Sequence, residues 1–161
     1  MPQFTDMRRS ALWDEHSRGA HAPRRRAAPR TVVLGYDGSQ AAQRATVRAA
    51  DAAGSGGRVV VVTALPRTDL LMRAHESNSP IADADSLIEQ ASALLRRHDI
   101  SLSKRVEQAD PAEALAAAAS DTNADLIVVG ARGDSYLARA LRGSVAERLV
   151  TRAPCDVLVV R

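Results

Sequence analysis

Beyond Arg30 the chain falls into short, unbroken apolar runs separated by Ala-rich stretches with helical spacing. The run 31–36 (TVVLGY) is rich in β-branched residues and does not alternate with polar ones, as a strand buried on both faces must read. Asp37-Gly38-Ser39 breaks it, and 40–53 (QAAQRATVRAADAA) predicts a helix. Ser39 is placed to be its N-cap, its hydroxyl accepting from an amide of the first turn. Gly54, Gly56 and Gly57 end that helix, and 59–64 (VVVVTA) predicts a second buried strand. Residues 65–82 have no clear period and contain Pro66 and Pro80, so they predict a long loop. Helical spacing returns over 83–98, with Leu87, Ala91, Leu94 and Leu95 on one face. A weaker strand follows around 101–107, then a helix over 111–121 with Asp110 as cap and Pro111 at its first position. Residues 125–129 (DLIVV) and 156–160 (DVLVV) predict the last two strands, with a short helix from Gly143-Ser144 to about Arg152 between them.

Strand and helix therefore alternate, which predicts an α/β fold with an open five-stranded parallel sheet and helices on both faces. Ligands of such sheets bind at the carboxyl ends of the strands. Residues 1–29 show no apolar period and include Pro2, Pro23 and Pro29, so they predict a disordered, Arg-rich arm ahead of a single domain over 30–161. Arg8-Arg9 is followed by no apolar segment, which does not match a secretory signal.

Charge sharpens that division. Residues 1–30 hold seven arginines against Asp6, Asp14 and Glu15, a balance of +4, while the rest holds fifteen basic and sixteen acidic side chains. The domain itself has no net electrostatic attraction for nucleic acid, and such binding is expected only through the arm. The aromatic residues are Phe4, Trp13, Tyr36 and Tyr136, too few for a base-stacking surface. No apolar run is long enough to span a bilayer, so no membrane partner is expected. The single cysteine, Cys155, excludes a disulfide framework within the chain and fits a reducing, cytoplasmic setting.

The candidate chemistry follows the fourth strand. The chain reads Gly130-Ala131-Arg132-Gly133, then nine residues, then Gly143-Ser144. Gly130 lets the chain turn off the strand, and Gly133 lets backbone amides approach an anion. Gly143 and Ser144 stand where a helix begins, where unpaired amides and the helix dipole favour negative charge. With nine glycines and twenty Ser/Thr in the chain, this spacing arises by chance ~0.003 times, which favours a phosphate cradle over simple turn and cap glycines. Asp37 ends the first strand facing this segment. It would repel a polyphosphate unless a cation lay between, and Mg2+ is the natural one. Its other reading is a turn or helix-capping aspartate ahead of Gly38. Arg132, Arg139 and Arg142 lie in the loop and could contact phosphate or solvent. Asp134 is a poor neighbour for phosphate.

From about Arg30 to Arg161 the chain resembles the universal stress protein family, in its nucleotide-binding branch. The resemblance rests on the G-x2-G-x9-G-[ST] spacing, on Val33-Leu34-Gly35-Tyr36-Asp37-Gly38-Ser39 and on the closing Pro154-Cys155-Asp156-Val157-Leu158-Val159-Val160. It implies strand order 3-2-1-4-5, an adenine nucleotide alpha hydrolase-like fold, and an ATP site at the ends of the first and fourth strands. Asp37 matches the acidic residue near ribose, phosphates and metal. Ala64 falls where backbone atoms contact adenine. Gly130, Gly133, Gly143 and Ser144 match the phosphate loop, with Val145 and Arg132 beside them. The family also implies homodimers paired through residues 156–160, an apolar strand that would otherwise be an exposed edge.

Other chemistries lack their residues. The only lysine, Lys104, follows a serine in a strand, so there is no P-loop. His16, His21, His75 and His98 form no pair at ligand spacing, and His98 reads as a cation at a helix end. No G-x-S-x-G elbow occurs. The resulting expectation is a nucleotide-dependent regulatory module with an unidentified protein partner. Cyclic AMP is the alternative ligand, and slow Mg-dependent ATP hydrolysis the alternative activity.

Overall fold

The valine runs form the centre of a single sheet in the computed structural model, which describes residues 30–65, 80–131 and 145–161. The elements in chain order are β1 (Thr31–Gly35), α1 (Gln40–Ala53), β2 (Gly57–Ala64), α2 (Pro80–Leu95), β3 (Ile100–Glu107), α3 (Pro111–Thr122), β4 (Leu126–Gly130), α4 (Val145–Arg152) and β5 (Asp156–Val160). The strands pair in the order β3-β2-β1-β4-β5, and every pairing is parallel. The sheet is covered on both faces, as its non-alternating strands require. On one face Val32, Leu34 and Tyr36 pack with Val59, Val61 and Val128 against α1 and α2. On the other, Val33, Val60, Val62, Ile127 and Val129 pack against α3 and α4. Alanines on α1 and α3 let both helices lie close to the sheet.

The caps follow local chemistry. Ser39 Oγ accepts from the Ala42 amide at 3.1 Å, and Asp110 Oδ1 accepts from the Ala112 and Glu113 amides at 3.0 and 3.4 Å. Several predicted boundaries move. Gly57 is the first residue of β2 rather than part of the helix end, which Gly54 alone caps. Helix α2 runs from Pro80 to Leu95, three residues earlier than its periodicity indicates. Its buried stripe is Ala84, Ile88, Ala91 and Leu95, while Leu94 is 44% exposed. The choice between these two overlapping stripes depends on how the helix is rotated over the sheet. His98 lies three residues beyond the helix end, and its backbone N–H, donating to the Leu95 carbonyl at 3.0 Å, closes the turn. Of the predicted loop 65–82, Leu65 is buried and 80–82 belong to α2, and 66–79 lie outside the described residues, as does the arm 1–29.

Candidate functional site

Asp37, Ala64, Gly130 and Val145 are among the described residues. Arg132, Gly133, Gly143 and Ser144 lie outside them, together with Asp134, Arg139 and Arg142. The register brings the first three onto adjoining strand ends. Leu34 pairs with Val61 of β2 and Val128 of β4, so two residues on, Tyr36 stands level with Thr63 and Gly130. Hydrogen bonds fix this rung. The Tyr36 N–H donates to the Val62 carbonyl at 3.0 Å, and Thr63 Oγ1 donates to the Tyr36 carbonyl at 3.1 Å. One residue further, Asp37 enters the turn after β1, while Ala64 closes β2 with Glu107 as its neighbour on β3.

Asp37 has a structural role of its own. Its Oδ1 accepts from the Ser39 N–H at 3.0 Å, across a turn in which Gly38 has φ of 81°. The Ser39 carbonyl then accepts the Gln43 N–H at 2.9 Å, the first bond of α1. A carboxylate ahead of the α1 N-terminus also sits favourably against the helix dipole. The Tyr36 phenol is pushed above its ordinary range by burial and, to a smaller degree, by the neighbouring Asp37 charge.

Gly130 departs from the sequence-based account in its physical reason. It is the last residue of β4, pairs with Val160, and is not among the glycines with positive φ. The strand runs through Gly130 and the bend comes one residue later, at Ala131. What requires glycine is the approach of α1, since a β-carbon at 130 would lie 2.8 Å from Ala41 Cβ and 2.9 Å from Ala42 N. Val145 opens α4 and is half-buried against the same apolar cluster as Ala64. The fully buried Leu149 anchors that helix one turn later.

Sequence reasoning missed a polar tie at this edge. Arg148 Nη1 donates to Asp110 Oδ2 at 2.7 Å, joining α4 to the cap of α3. The partners are 38 residues apart, and only the Asp110 cap left a local signal.

Among the described residues no three His, Cys, Asp or Glu side chains come together as a metal site. Asp37 can offer one carboxylate, which suits a Mg2+ carried by polyphosphate and water but not a cation held by protein alone. Cys155 is half-buried, and burial raises its thiol pKa, with smaller contributions from Asp156 and Asp125. It is therefore a poor nucleophile near neutral pH.

An open parallel sheet with helices on both faces defines a doubly wound α/β domain, whose carboxyl edge carries an acidic turn and a glycine strand end. The description "Universal stress protein family" matches residues 29–161, and the chain belongs to that family. It is 37% identical over 139 residues to a universal stress protein of Thermus aquaticus, covering 82% of this chain and 98% of that one. It is 34% identical over 142 residues to one from Mycobacterium tuberculosis, covering 81% and 95%. Among solved structures it resembles a universal stress protein in complex with cAMP, with 27% identity, a TM-score of 0.59, and 82% and 97% of the two chains covered. The Archaeoglobus fulgidus universal stress protein in complex with dAMP shares the fold, with 22% identity, a TM-score of 0.61, and 82% and 98% covered. No helix among the described residues is long and apolar enough to cross a membrane.

Proposed function

We propose that this protein binds ATP with Mg2+ at the carboxyl edge of β1, β2 and β4 and acts as a nucleotide-dependent regulatory module in the cytoplasm. The observation that carries the reading is the alignment of Asp37, Ala64 and Gly130 on adjoining strand ends, directly before the segment holding Arg132, Gly133, Gly143 and Ser144. In this reading Ala64 offers backbone groups to adenine, and Val145 borders the phosphates at the start of α4. Asp37 faces Mg2+, which shields its charge from the polyphosphate. The similarity to a family member solved with cAMP supports an adenine nucleotide and makes cAMP the competing ligand. Regulation by occupancy needs only different affinities in two states, not turnover.

The second part of the proposal is a homodimer through β5. This strand is the sheet edge beyond β4, and its Val159 is exposed. Val150 on the adjoining α4 is 70% exposed. Pairing a second copy along β5 would satisfy the open backbone groups and cover this apolar edge.

Calorimetric titration of nucleotide-stripped protein with Mg-ATP, repeated against cAMP, tests the ligand. Saturable binding near one ATP per chain, stronger than cAMP, is expected. No heat and no thermal stabilisation by either nucleotide would overturn the reading. Sedimentation of the same sample, compared with Val159→Lys, tests the dimer.

A further inference from the structure

The tie between Arg148 and Asp110 is placed where the proposed site needs rigidity. Asp110 uses both carboxylate oxygens. Oδ1 caps α3 through the Ala112 amide, and Oδ2 accepts from Arg148 Nη1 at 2.7 Å. One carboxylate thus joins the first turn of α3 to α4, three residues after Val145. Arg152 and Glu113 repeat the link one turn further along both helices at 3.5 Å, but both are largely exposed and contribute little. The inner pair is the better shielded, with side chains 32% and 22% exposed.

Its energetics do not look like a device for stability alone. Arg148 Nε and Nη2 are buried and have no hydrogen-bond partner among the described residues. Each such donor forfeits its hydration, which works against folding. An arginine at this position would lose less by extending into water, as Arg152 largely does. Among the described residues the guanidinium is held inward by a charge-assisted bond to Asp110. What that bond secures is the position of the α4 N-terminus over the carboxyl edge.

We infer that Arg148 is a positioning residue for nucleotide binding, acting through Asp110 to hold the start of α4, and with it Val145, at the strand ends. The inference rests on the nucleotide reading above. If the pair positions the site, then Arg148→Met, which keeps the stem, weakens Mg-ATP binding about tenfold. Asp110→Asn keeps an acceptor for the α3 amides but loses the charge, and it weakens binding similarly. The double variant is no weaker than either single one, because both break the same tie. Calorimetry of the three variants and wild type gives the affinities, and hydrogen exchange gives the protection of amides 149–153, those bonded within α4, in the nucleotide-free protein. The inference predicts faster exchange there in both single variants while the amides of β1 and β4 stay protected. A wild type that binds Mg-ATP and variants that bind it equally well overturn the positioning role and leave the nucleotide reading intact. Additive losses in the double variant overturn it too, since the residues would then act separately. A wild type that binds no nucleotide overturns both.

Discussion

Gly130 at the end of β4 lies directly against Ala41 in the first turn of α1, where a β-carbon would approach Ala41 Cβ to 2.8 Å and the Ala41 carbonyl carbon to 2.9 Å. The obstacles are mostly backbone, and α1 cannot retreat without lifting Ala42, Ala45 and Ala49 out of the core. Gly130→Ala is therefore expected to destabilise the fold by about 1–3 kcal/mol, an overpacking effect read by urea denaturation. The loss should appear with no nucleotide present. A weakened nucleotide affinity in this variant would reflect a displaced α1 as much as a lost phosphate contact.

Asp37 serves the turn and, in the proposed function, the cation. Two substitutions separate these roles. Asp37→Asn retains an acceptor for the Ser39 N–H and should leave stability within about 0.5 kcal/mol of wild type. Its affinity for Mg-ATP should fall about tenfold, since the carboxylate charge is gone. Asp37→Ala should lose the same affinity and also about 1 kcal/mol of stability from the missing turn bond. Calorimetry and thermal unfolding on both variants check the pair. Equal Mg-ATP affinity in wild type and Asp37→Asn would confine Asp37 to its turn role.

Leu149 is the one fully buried side chain of α4 and holds that helix on the α3 side of the sheet. Leu149→Ala should cost about 2–5 kcal/mol, as other large-to-small core changes do. Hydrogen exchange should rise most in α4, because the rest of that core cluster is built on the strands and α3. Uniform acceleration across the sheet would show that α4 does not open separately.

Tyr36 supplies a pH dependence whose sign is fixed. Burial and the Asp37 charge raise its pKa above the ordinary 10.0, so the folded state keeps the phenol protonated longer than the unfolded state does. The resulting stability is complete below about pH 10 and is lost as pH rises through the folded value. In a Tyr136→Phe background, which leaves Tyr36 as the only tyrosine, absorbance at alkaline pH should show ionisation later than in a model peptide. Denaturation midpoints above pH 10 should fall less steeply when Tyr36 is replaced by Phe.

The strand runs, the alternation with helices and both capped helix starts were legible from the residues alone. Each depends on chemistry within a few positions: β-branched runs favour buried strands, Ser39 and Asp110 accept from amides two or three residues on, and Pro111 fits the first turn. The pattern of glycines after β4 carried the resemblance to the universal stress protein family, and the match over residues 29–161 agrees with it. Periodicity was less decisive for α2. The stripe through Leu87 and Leu94 and the one through Ala84 and Ile88 share Ala91 and Leu95, and a rotation of the helix exchanges them. Leu87, at the edge of the buried stripe, packs against the same cluster and also meets the Asp37 turn, where a β-carbon on Gly38 would lie 2.6 Å from its Cδ2.

By itself, then, the sequence determined which segments are strands and helices, where two helices begin, and that β1 and β2 are buried strands. The tertiary structure decided which strand ends meet, why position 130 has room for no side chain, and that Arg148 reaches Asp110. The division has a physical cause. Local preferences arise from atoms a few residues apart and are written in neighbouring letters. The close approach of α1 to β4 and the tie between α4 and α3 arise between segments brought together only by the register of the sheet, and steric exclusion across that distance leaves no trace in local spacing.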